Sequence, residues 1–61
     1  MNEYDVKRLA LVLAVQAEIE GMKVENLIRD SMNYVMTYDE EDFSQCAEKL
    51  RDLARKGNDQ L

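Results

Sequence analysis

The 61-residue sequence contains no histidine, no tryptophan and no proline, a single cysteine and two glycines. Each shortage closes a class of explanation. Without histidine there is no imidazole-based triad and no member of the commonest class of general base. One thiol, Cys46, cannot close an internal disulfide, and without histidine beside it the usual zinc frameworks are gone. Glycines only at Gly21 and Gly57 leave no Gly-rich phosphate loop. No catalytic, cofactor-binding or metal-binding constellation is read from these residues, and the chain is not expected to be an enzyme.

Basic charge is also scarce. Thirteen acids face eight bases, for a net charge of −5. A binder of phosphate backbones needs a basic stripe, so nucleic acid is not an expected partner. Long apolar runs are missing too. The longest spans residues 9–15, far short of the about 20 residues that cross a bilayer. Lys7 and Arg8 ahead of this run, with Val15-Gln16-Ala17 at its end, imitate a secretory signal. Glu3 and Asp5 cancel the leading positive charge, and the run is short for that role. The expectation is a soluble cytoplasmic protein with no membrane partner.

What remains is helix-forming. Ala, Leu, Glu, Lys, Gln, Arg and Met dominate, and no strand-like alternation is sustained. The hydrophobic fraction of 46% is too high for a disordered chain. A first helix is expected from about Glu3 to about Asp30, capped by Asn2, with an extension to Met36 left open because Ser31 and Asn33 are poor interior residues. Thr37-Tyr38-Asp39-Glu40 reads as a capping box, with Asp39 as an alternative cap. The second helix is expected over about 40–56. Phe43, Cys46, Ala47, Leu50, Leu53 and Ala54 recur on it at helical spacing, and Gly57 suits the position after its end. Residues 58–61 are expected to fray. The fold class is therefore all-α, a two-helix antiparallel hairpin with a long first helix and a shorter second.

The first helix carries more apolar surface than the second can cover. One stripe comprises Val6, Ala10, Leu13, Ala14, Ala17, Gly21, Val24, Leu27, Ile28, Met32 and Val35. Another runs through Val12, Val15, Ile19 and Met22 at coiled-coil spacing, with Asn26 next in line. Asn26 either fixes a register or marks the end of the seam. At 1.5 Å per residue the helices measure about 42 and about 25 Å. A short connection would then leave the N-terminal part of the first helix bare.

A chain this small usually needs a staple or a partner subunit. The expectation is a homodimer of hairpins forming a four-helix bundle, associating through Leu9, Val12, Leu13, Val15, Ile19 and Met22. Met32, Tyr34, Met36 and Tyr38 form a sticky segment. It either tucks under the hairpin or docks another protein. The run Asp39-Glu40-Glu41-Asp42 lacks the ligand spacing of a calcium loop and reads as helix-start chemistry. Cys46, on the apolar stripe of the second helix, reads as a structural core residue. The function expected is a non-catalytic, self-associating protein–protein interaction or assembly module. The alternative is a small acidic regulator, inhibitor- or antitoxin-like. Its Glu18, Glu20 and Glu25 and acidic run would imitate phosphates toward a basic protein.

Overall fold

The computed structural model describes all 61 residues. The chain is all-helical. Helix α1 (Glu3–Ser31) and helix α2 (Glu40–Arg55) are joined by residues 32–39 and followed by one 3-10 turn, Asn58–Gln60. The two helices pack antiparallel. Arg8, near the start of α1, reaches Lys56 at the end of α2. Met22 meets Cys46, and Asn26 meets Tyr38 just ahead of α2.

Local chemistry sets each boundary. The Asn2 side chain accepts the Asp5 backbone N–H at 2.8 Å and opens α1. The helix stops at Ser31 and does not run to Met36. Asn33 takes a left-handed φ of 61°, a conformation that Asn tolerates better than most residues. Its N–H donates to Asp30 O at 3.0 Å, and the Tyr34 N–H donates to Arg29 O at 2.8 Å. This paired closure ties off the last carbonyls of α1.

At the start of α2 the cap is Asp39 and not Thr37. Asp39 Oδ1 accepts the Asp42 N–H at 3.1 Å, and Asp42 Oδ2 accepts the Asp39 N–H at 3.0 Å. Two members of the acidic run are thus committed to a reciprocal capping box. Gly57 does not use its freedom to go left-handed, since its φ is −73°. The end of α2 is closed from outside instead. The Arg8 guanidinium donates to the carbonyls of Leu53 and Lys56 and to Asn58 Oδ1. A cation at a helix C-terminus also complements the helix dipole. The tail is not frayed, because the 3-10 turn lays Leu61 against the core.

The bare N-terminal overhang expected over much of residues 9–15 is not found on the side of α1 that faces α2, where Val12 and Val15 are covered. The connection is eight residues long, so α2 returns alongside α1 from about Asn26 back to Arg8. Residues 3–7 and 27–31 of α1 extend past these contacts, one stretch at each end.

The core is thin. Val15, Cys46 and Leu53 are the only buried residues, with Val12, Ile19, Met22, Leu50 and Leu61 packed around them and partly covered. The molecule measures 46 × 19 × 11 Å, so its thinnest dimension is one helix. Its radius of gyration is 14.6 Å, against about 10–11 Å for a compact domain of this length. No helix is long and apolar enough to cross a membrane.

Candidate self-association surface

At about 100° per residue, α1 presents two apolar sides. One bears Arg8, Val12, Val15, Ile19, Met22 and Asn26 and lies against α2. The other bears Val6, Ala10, Leu13, Ala17, Val24 and Ile28, flanked by Leu9, Leu27, Ala14 and Gly21. It points away from α2 and is exposed from end to end. Leu13 is 58% exposed, Val24 54% and Leu27 68%, against 9% for Val15. Between Val6 and Ile28 this outer side carries one charge, Glu20, bonded to Lys23 at 3.1 Å. Nothing lies within 4 Å of a side chain built at Gly21, so a neighbour can approach there closely.

Four of the six residues expected in a self-association interface are therefore engaged within one chain. Val15 is buried, and Val12, Ile19 and Met22 are partly covered against the same core. They face α2 because their side of the helix also holds the two polar residues that secure it. Arg8 closes the end of α2. Asn26 clasps the connection, its Nδ2 donating to Tyr38 O at 2.8 Å and its Oδ1 accepting the Tyr38 N–H at 3.0 Å. Asn26 thus neither sets a register between copies nor merely ends a seam; it anchors the chain entering α2. Leu9 and Leu13, the other two, stand exposed on the outer side.

Of the proposed docking residues, Met32, Tyr34 and Met36 are exposed, together with Val35. Tyr38 is half-buried, its backbone held by Asn26. The segment is not tucked under the hairpin. It continues α1 beyond the contact of Asn26 with Tyr38.

The remaining chemistry is structural. The Cys46 thiol is buried and donates to Met22 Sδ at 3.6 Å. No group of three or more acidic or thiol side chains is gathered so as to hold a metal ion. Six ion pairs cross the surface, one of which, Lys49 to Glu18 at 3.5 Å, bridges the helices. Exposed pairs of this kind add little stability. Glu48 accepts from both Arg55 and Arg51, and these hydrogen bonds, Arg55 first, hold its carboxyl below the ordinary 4.5. The shallow groove between Glu18, Met22, Gln45 and Lys49 is floored by Cys46 and brings no nucleophile together with a base.

Sequence reasoning found two apolar sides but gave α2 no fixed place on either. The signal that could have assigned it is the pair of polar residues, Arg8 and Asn26, in line with Val15. Comparison with family models, with curated proteins and with solved structures found no match to this chain.

Proposed function

We propose that the chain is a non-catalytic protein–protein interaction module that self-associates, and that the outer side of α1 is the surface through which it does so. One observation carries this reading: an apolar stripe about 33 Å long, from Val6 to Ile28, stands in solvent on a hairpin that buries only three residues. Apolar surface of that extent, bordered by charge, marks an interaction site on a soluble protein. A core this small leaves stability near zero for a hairpin alone, and oligomerisation is the usual remedy where disulfides and metals are missing. We place the module in the cytoplasm, where a lone thiol such as Cys46 stays reduced.

Sedimentation equilibrium tests the proposal. A two-chain mass is expected, little altered by salt, because apolar contact is not screened. Leu13→Asp sets an unpaired charge in the middle of the stripe. It should lower the mass to one chain and weaken the fold along with it. A one-chain native protein that melts sharply and cooperatively would contradict the proposal.

A further inference from the structure

We propose that the copy covering α1 lies antiparallel to it, so that the connection end of one hairpin rests against the open end of the other. This deepens the self-association proposed above and rests on it.

The area fits a second copy. The chain exposes 4759 Å², about 700 Å² more than the roughly 4,100 Å² typical of a compact chain of its mass. If each copy hides that surplus, a pair buries about 1,400 Å², inside the range of about 1,200–2,000 Å² for specific interfaces. A symmetric pair brings to the stripe a surface of the same length and character, its own.

Charge selects the direction. Residues 25–44, at the connection end, hold six acids against Arg29 alone, which is the whole net charge of the chain. The open end, residues 1–13 with 48–61, holds six bases against five acids. A parallel pair sets two ends of −5 side by side. An antiparallel pair sets each against an end of opposite sign, and the like-charge cost disappears.

Side-chain volume selects the same direction. The stripe has small residues at Ala10, Ala14 and Ala17 in its first half, beside Val6, Leu9 and Leu13, and large ones at Val24, Leu27 and Ile28 in its second. Parallel copies would face Ala10 with Ala10 and Ala17 with Ala17 and leave gaps there. Antiparallel copies set Leu27 level with Ala10 and Val24 level with Leu13, as close packing requires. The two-fold axis then crosses α1 between Ala17 and Glu20, and Lys7 stands level with Asp30 of the other copy.

The test is a distance between copies. Spin labels are placed on Lys7→Cys, and separately on Asp30→Cys, each in a Cys46→Ala background, and read by double electron–electron resonance. Antiparallel pairing gives about 35 Å in each case, from 23 residues of axial offset at 1.5 Å per residue. Distances under about 20 Å for both labels would overturn it, since parallel neighbours lie about 10 Å apart. The native chain supplies a second readout that needs no substitution. Carbodiimide coupling in a mixture of isotope-labelled and unlabelled copies should join Lys7 of one chain to Glu25 of the other, since both border the outer side of α1 on the same flank. Failure to find this link in a two-chain species overturns the antiparallel direction alone. A one-chain mass overturns self-association and this inference with it.

Discussion

Val15 and Leu13 stand two residues apart on α1 and are both aliphatic; the apolar stripe of Val15 runs from Val12 to Met22, and that of Leu13 is longer, from Val6 to Ile28. Val15 is buried with Cys46 and Leu53, whereas Leu13 stands more than half exposed in a row of exposed neighbours. Apolar content therefore does not decide which side of a helix is covered within the chain. The polar residues at the ends of the stripe decide it. Arg8 and Asn26 share the Val15 side, and each satisfies backbone groups that α2 would otherwise leave open. Turning α1 to present Leu13 would cost those bonds and gain no better apolar contact. The outer side has no such polar anchors, as suits a surface met by a separate chain.

The same substitution on the two sides separates their roles. Val15→Asp puts an unpaired carboxylate into the core, a change that costs several kcal/mol. A domain of this size holds only about 3–9 kcal/mol in total. The expected result is loss of helical circular dichroism at every protein concentration. Leu13→Asp should act through the mass first, with helicity lost most at low concentration. If the two variants unfold alike at all concentrations, the distinction between the sides is gone.

Arg8→Ala tests the anchor at the open end. Hydrogen bonds from a charged donor contribute about 1.5–3 kcal/mol, and that is the expected loss in urea unfolding. A variant as stable as the native chain would mean that the end of α2 is closed by water instead. Asn26→Ala removes the clasp on Tyr38. Two neutral, half-buried bonds set its cost at about 1–2 kcal/mol, and amide exchange at Tyr38 should accelerate while that at Val15 changes less. Uniform acceleration along both helices would assign Asn26 a global rather than a local role.

The smallest effect concerns pH. The folded Glu48 titrates below its ordinary value, so its contribution is complete above about pH 4.5 and is lost as pH falls through the folded value. Glu48→Gln should therefore flatten a shallow decline in melting temperature below pH 4.5 and leave neutral pH nearly unchanged. Glu48 is exposed, so a large change at neutral pH would show that its pairs with Arg51 and Arg55 do more than exposed pairs do.

Much of the fold was legible in the sequence because the signals are local. Asn2, the apolar spacing and the acidic residues ahead of Phe43 place two helices to within a residue or two of where they lie. The pairing was not legible because it is non-local. Asn26 reads as a flaw in an apolar seam until Tyr38 is brought beside it, and Arg8 reads as a solvated charge until the carbonyls of Leu53 and Lys56 arrive. Both swap the roles of the two stripes. The extent of α1 that α2 covers is not legible for a related reason. An eight-residue connection, closed at Asn33 and released at Asp39, shifts α2 back along α1, so that its end reaches Arg8. A tail of four residues reads as frayed because nothing in it announces that Leu61 reaches the core.

The most direct measurement is the thermal midpoint of the native chain, followed by circular dichroism over a roughly thousandfold range of concentration. Pairing through α1 stabilises only the folded state, so the midpoint should climb steadily with concentration. A sharp transition whose midpoint stays fixed across that range would mean that the hairpin stands alone, with its outer stripe in water.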